Sequence, residues 1–170
     1  MSPKRDFRTA AAFDSGRVEG SGRDVGRNVY WKLYVIENIM RVIIHSVLSA
    51  QIGSNWWSIA VDRSLQKKAM RFRTTYTASP WHSSPGSHEI YYVDLADLNE
   101  IMRANSHLFS RIIADVDQWM ARIEQIRLPR NVVAHMNWPD QIDRRRIDVF
   151  YSDIRTLASH VSSAVTLGVP

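Results

Sequence analysis

Trp119-Met120-Ala121-Arg122-Ile123-Glu124-Gln125-Ile126-Arg127-Leu128-Pro129-Arg130-Asn131-Val132-Val133-Ala134-His135 decides the class of this fold. Trp119, Ile123 and Ile126 stand three and four residues apart, and Leu108, Ile112 and Val116 carry the same spacing upstream, which marks the cleanest amphipathic helix in the chain. Leu128-Pro129 reads as the end of that stripe and the start of a second helix, because a proline in a first helical turn lacks only an N–H that has no partner there. Arg130 is then expected near a helix N-terminus. Free N–H groups and the helix dipole favour an anion at that position, and a guanidinium binds two phosphate oxygens at once. Asn131 and His135 are four apart and share one helical face, with Arg130 reaching in by its long stem. Such a trio can hold a phosphate and move a proton.

Both flanks repeat the helical pattern. Val29, Leu33, Ile36, Met40, Ile43 and Val47 mark an early amphipathic helix that ends at Gln51-Ile52-Gly53-Ser54-Asn55. A second helix is expected after Trp56-Trp57, with Val61, Leu65, Ala69 and Phe72 inward and a basic opposite side. Residues 74–93 hold Pro80, Pro85, Gly86 and many hydroxyl residues, which predicts a long loop containing a short extended piece at Glu89-Ile90-Tyr91-Tyr92-Val93. Asp94 and Asp97 form an N-cap and acidic first turn for a helix through Leu95, Leu98, Ile101 and Met102, with a break at Asn105-Ser106. Trp138-Pro139 stops the motif helix, and Asp140 with Asp143 opens a last one whose core face is Ile147, Phe150, Ile154, Leu157, Val161 and Ala164. Periodic helices joined mostly by short breaks predict an all-α fold, an antiparallel bundle of about five to six helices. The bundle is expected over residues 27–170. A flexible basic arm is expected over residues 1–26, which hold four of the seven glycines.

A chain of 170 residues with 45% hydrophobic content suffices for one self-supporting domain. Cysteine is absent, which rules out disulfides and thiolate metal sites and points to a reducing compartment, the cytoplasm. The basic start Met1-Ser2-Pro3-Lys4-Arg5 lacks the apolar stretch of a signal peptide, and no run is read as long enough to span a bilayer. A net charge of +5 and a pI near 9.8 favour phosphate backbones or acidic partners.

Outside the motif, Glu37, Arg41 and His45 fall four apart with Tyr34 one turn earlier, either a solvated line of weak ion pairs or the border of a cleft that orders Arg130 or His135. Arg63, Lys67 and Arg71, with Lys68 and Arg73 beside them, form the densest cationic strip, a phosphate track for RNA or an ordinary solvated face. His82, His88 and Glu89 lack the spacing of a metal site, so neither metal nor cofactor is expected. Trp56, Trp57 and Trp81 read as core or loop anchors rather than base-stacking residues.

Arg130-Asn131, three residues and then His135 resembles the arginine, four-to-six-residue gap, histidine motif of the HEPN superfamily. The long helix Trp119 to Arg127 before it, and Ile36-Glu37-Asn38-Ile39-Met40-Arg41 in the early helix, look like the same family, in a layout covering roughly residues 27–165. The resemblance implies an all-helical domain and a metal-independent endoribonuclease acting as a homodimer with a shared cleft. Arg130, Asn131 and His135 would be its catalytic residues, supported by Glu37 and Arg41. It also implies a toxin-antitoxin or antiviral setting with an antitoxin or sensor as partner. The alternative is a non-catalytic HEPN module that dimerises or binds RNA within a larger assembly. Some HEPN toxins carry a tyrosine two residues after the histidine, the target of a partner nucleotidyltransferase. Here Met136 and Asn137 follow, which argues against that route of control.

Overall fold

The computed structural model describes residues 15–170, and these form helices and turns with no strand among them. Helix α1 (Ser15–Val25) passes through a π-helical turn (Gly26–Tyr30) into the long α2 (Trp31–Ile52), which Gly53 ends at φ 114°. Next come the short α3 (Trp56–Ala60), α4 (Arg63–Thr77), a 3₁₀ turn (Glu89–Tyr92), α5 (Leu95–Ala104), the single-turn α6 (Ser106–Phe109), α7 (Val116–Ala134) and α8 (Gln141–Ser162). The all-α class expected from periodicity is the class observed.

Helix α2 is the axis of the core. Ile36, Met40, Ile43, Ile44, Val47 and Leu48 are inaccessible to solvent, and α2 packs most extensively on α8, then on α5. By length and apolarity the run Gly16–Ile52 is sufficient to cross a membrane, which the sequence reading does not anticipate, and its apolar side chains here build the core of the helical domain. Aspartates start three of the helices. Asp62 accepts the Ser64 N–H, Asp140 accepts the Asp143 N–H, and Asp94 with Asp97 forms a complete capping box. Each cap satisfies a helix N–H that has no partner within its own helix, typically for about 1 kcal/mol.

Several local expectations are overturned. The part of the expected flexible arm over residues 1–14 lies outside the described residues, but from Ser15 the chain is helical. No apolar stripe announces α1, whose end is instead held across the fold. Asp24 takes a 2.6 Å ion pair from Arg144 of α8, and this bond together with one from Asn28 outweighs burial and lowers the Asp24 pKa. The expected helical stripe from Leu108 to Ile126 breaks between Ser110 and Asp115, where Asp115 turns left-handed at φ 55°. Phe72, expected to face inward, is 43% exposed, while Leu65 and Ala69 of the same helix are buried. Residues 89–92 are a 3₁₀ turn rather than an extended piece, since His88 caps them by accepting the Ile90 N–H at 3.1 Å.

The largest correction falls on the motif. Pro129 begins no helix: it is buried within α7, which continues to Ala134. A proline interior to a helix deprives the carbonyl four residues back of its partner, at a cost of about 3 kcal/mol. Here Ile126 and Val133 flank the ring on the same buried face, and their burial offsets that cost. Arg130 therefore lies in the last turns of a helix, at the negative end of its dipole. Carbonyls, not free N–H groups, face outward there.

Candidate functional site

Tertiary packing gathers the polar line of α2 and the end of α7. The Arg130 Nε and Nη2 both approach Glu37 Oε2 at 3.1 Å, and Arg130 Nη1 donates to Asn131 Oδ1 at 3.4 Å. Glu37 Oε1 takes a 2.6 Å ion pair from Arg41 one turn further along α2. A single carboxylate thus holds two guanidiniums. Of the polar line expected to border a cleft, Glu37 holds Arg130 directly and Arg41 meets it only through that shared carboxylate.

The two arginines differ in what remains to them. Arg41 is buried, and it also donates to the carbonyl oxygens of Ile90 and Val93 and to Asn38 Oδ1, so its donors are spent in tying the 3₁₀ turn to α2. Arg130 is half-buried at the wall of a groove, and its Nη1 has only the long contact to Asn131. A guanidinium has five N–H donors in a planar fork, so Arg130 keeps donors for an anion in the groove. With the dipole reversed from expectation, that affinity rests on the guanidinium charge alone.

His135 stands apart from this cluster. It is the C-cap of α7, exposed, with its backbone N–H on the Asn131 carbonyl at 3.0 Å and no side-chain hydrogen bond among the described residues. Met136 follows at φ 58°, and the N–H groups of Met136 and Asn137 return to the carbonyls of Val133 and Val132, the hydrogen-bond pattern of a Schellman ending. Arg130 and His135 are five residues apart, roughly 140° around the helix axis. Val133 and Ala134 line the groove with Arg130, and His135 does not. The three-residue site expected within one chain is therefore split into an Arg130–Asn131–Glu37 part and a separate imidazole.

The groove is about 360 Å³, with Tyr30 and Tyr34 on one wall and Pro85 and Tyr91 on another. A second hollow of about 370 Å³ shares Glu37, Arg41, Pro85, Tyr91 and Arg130 with it and reaches Lys68, Phe72 and Tyr76 of α4. Sequence reasoning missed most of these aromatic residues. Tyr34 falls on the polar line, but Tyr76 stands near the end of α4 and Tyr91 is placed by the 3₁₀ turn and the loop before it, with no periodic signal for either. Gly86 sets that loop: a Cβ there would lie 2.3 Å from the Tyr91 ring, so only glycine lets the backbone press on it. Tyr92 seals the same loop, donating to the Gly86 carbonyl at 2.9 Å.

The cationic strip divides by face. Lys68 and Arg73 are committed, Lys68 to both Asp97 oxygens at 2.7 Å and Arg73 to Glu89 at 2.8 Å. Burial works against the Lys68 ammonium, but Asp97 and Asp94 more than compensate and raise its pKa. Arg63, Lys67 and Arg71 are exposed and carry no ion pair among the described residues. They form the strip free to meet a phosphate chain.

At the other end of α2 the polar line is closed. The Trp56 Nε1–H donates to His45 Nδ1 at 3.2 Å, the His88 ring stacks on Trp56 with centroids 5.2 Å apart, and the two imidazoles meet edge-on at 5.2 Å. Burial lowers the pKa of both; for His88 the nearby Glu89 opposes this, while His45 and Arg73 reinforce it. Trp56 and Trp57 are core residues as expected, whereas Trp81 is 77% exposed and anchors nothing in the core. No group of three histidine or acidic side chains gathers as a metal site among the described residues.

Comparison with known protein families, with characterised proteins and with solved structures finds no match.

Proposed function

We propose that this chain is a metal-independent endoribonuclease of the HEPN type, acting as a homodimer in the cytoplasm. The observation that carries the reading is the Glu37-held Arg130, facing an open groove with donors to spare, at the end of a helix capped by an exposed histidine. The 2′-OH of RNA is an internal nucleophile. Its oxygen attacks the adjacent phosphorus as a base takes its proton, Arg130 steadies the charge growing on the equatorial oxygens, and the 5′-oxygen leaves with a proton from an acid. The products are a 2′,3′-cyclic phosphate and a 5′-OH. His135 is the proton carrier and Asn131 orients Arg130. One imidazole is poorly placed for both transfers, and His135 diverges from the groove of its own chain. Two chains with their α7 ends opposed would supply two histidines and bring each toward a bound phosphate. Arg63, Lys67 and Arg71 would track the RNA backbone.

Resemblance of the motif to toxin-type HEPN proteins supports a toxin-antitoxin or antiviral setting, with an antitoxin or sensor protein to restrain the activity. The exposure of His135 outside the groove also supports a second reading, a non-catalytic HEPN module that dimerises or binds RNA. Cleavage of a labelled RNA in EDTA by the wild type and by His135→Ala separates the two. Cleavage by the wild type alone, leaving cyclic phosphate ends, is expected; cleavage by neither supports the module, and equal cleavage by both removes His135 from the chemistry.

A further inference from the structure

Two of the groove's aromatic residues have no part in the proton transfers, yet they are well exposed. Tyr30 and Tyr34 are 58% and 61% exposed and stand one helical turn apart. Beyond Arg130, Phe72 and Tyr76 edge the second hollow at 43% and 40% exposure. The two hollows share Arg130, Glu37 and Tyr91 and so adjoin at the guanidinium; taken together they are called the channel, with Tyr30 and Tyr34 lining one hollow and Phe72 and Tyr76 the other. Single exposed aromatic residues are ordinary on a protein surface. Four along one channel, on either side of an arginine with donors to spare, form a pattern suited to a ligand that alternates flat rings with anions.

Charge points the same way. The acids in the channel are already matched: Glu37 holds Arg41 and Arg130, and Asp94 and Asp97 hold Lys68. Helix α4, which supplies Phe72 and Tyr76, also carries the exposed Arg63, Lys67 and Arg71, and the Arg71 guanidinium lies 5.6 Å from the Phe72 ring centre. One helix therefore carries three exposed cations followed by two exposed rings.

We infer that the channel binds unpaired RNA, with Arg130 on the phosphate between two nucleotides, one base stacked at Tyr30 and Tyr34 and the other at Phe72 and Tyr76. Stacking on an aromatic side chain tolerates every base, since each has a π-face, and a duplex has no free faces to offer. The assignment rests on the ribonuclease reading for the phosphate at Arg130, and it sets which RNA that enzyme accepts: single-stranded segments or loops with little base preference.

The test is binding rather than cleavage. Full-length His135→Ala protein in EDTA is titrated into a labelled unstructured RNA and into a duplex of equal length, with fluorescence anisotropy as the readout. Preference for the single strand is expected, and Tyr34→Ala and Phe72→Ala should each weaken it by about tenfold, the cost of one lost stack. Tyr34→Phe, which keeps the ring, should bind as the parent. Unchanged thermal melting of these surface variants excludes misfolding as the cause. Equal affinity for duplex, unaltered affinity in both alanine variants, or no binding of either RNA overturns the inference. RNA cleavage by the wild type beside unaltered affinity in the variants removes the channel and leaves the nuclease standing; aromatic-dependent binding without cleavage keeps the channel and removes the nuclease.

Discussion

The two ends of α2 start from one sequence pattern and come to opposite states. Tyr34, Glu37, Arg41 and His45 form a single line of polar side chains on one helical face. At the Glu37 end the line borders an open groove, and the charges are paired so that one guanidinium stays available. At the His45 end the line is closed by Trp56 and His88, and burial among these rings lowers the pKa of both imidazoles. A titratable side chain close to neutrality is thus no guide to chemistry. What the tertiary neighbours leave uncommitted matters more, and on the proposed ribonuclease reading the open end and the exposed His135 would be the working side.

The largest effect that would break this contrast is at His135. On the ribonuclease reading, its replacement by alanine should lower RNA cleavage by about 10²–10⁴, the usual contribution of a general acid or base, with the melting temperature little changed because the side chain is exposed. Cleavage of a labelled substrate beside a thermal melt measures both. Trp56→Ala at the closed end should show the reverse: a loss of about 3–5 kcal/mol in stability from the cavity of a fully buried indole, read as a lower urea midpoint. Were Trp56→Ala as stable as the parent, the closed end would not be the structural one.

Glu37→Gln should fall between these. It removes the charge shared by two guanidiniums and should cost about 2 kcal/mol, since Arg41 is buried and would keep only neutral partners. Urea unfolding of the variant, together with its RNA affinity, shows whether Arg130 has lost its fixed position. A smaller effect is expected from pH. His45 and His88 bind protons less readily in the folded chain than at the ordinary imidazole value of 6.5, because burial opposes the charged form, with Glu89 opposing and His45 and Arg73 adding to the effect at His88. The unfolded chain therefore gains protons first as pH falls below about 6.5, and stability should decline from there, being full above it. Melting temperatures between pH 8 and 5 should show this slope, and His88→Gln should flatten it. An equal slope in both proteins would place the titration elsewhere.

How far the sequence reaches is best judged at particular residues. Asp94, Asp97 and Asp140 were legible because a cap is made within three residues of itself. The core face of α2 was legible because burial follows the helical period. Pro129 was misleading for a local reason: a proline in a first turn and one buried inside a helix look alike unless the far side of the core is known. Helix α1 was invisible because Arg144, the residue that pairs with Asp24 near its end, is 120 positions away in the chain. The Arg130 cluster was half legible. Its residue types were evident, but the bond from Arg130 to Glu37 spans 93 positions, and the diverging course of His135 depends on where α7 actually begins.

By itself the sequence determined that this chain is helical, where some helices are capped, which faces of most are apolar, and which arginine, amide and histidine merit attention. Those follow from contacts within about one turn of the backbone, where the spacing of side chains is the physics. Only the tertiary structure decided that Glu37 serves two arginines, that Arg130 sits at the negative end of its helix, that His135 stands apart from that arginine, and that Tyr34, Tyr91, Phe72 and Tyr76 line two adjoining hollows. Those depend on which segments α2 packs against, and packing is settled by the fit of whole faces rather than by any local run of residues.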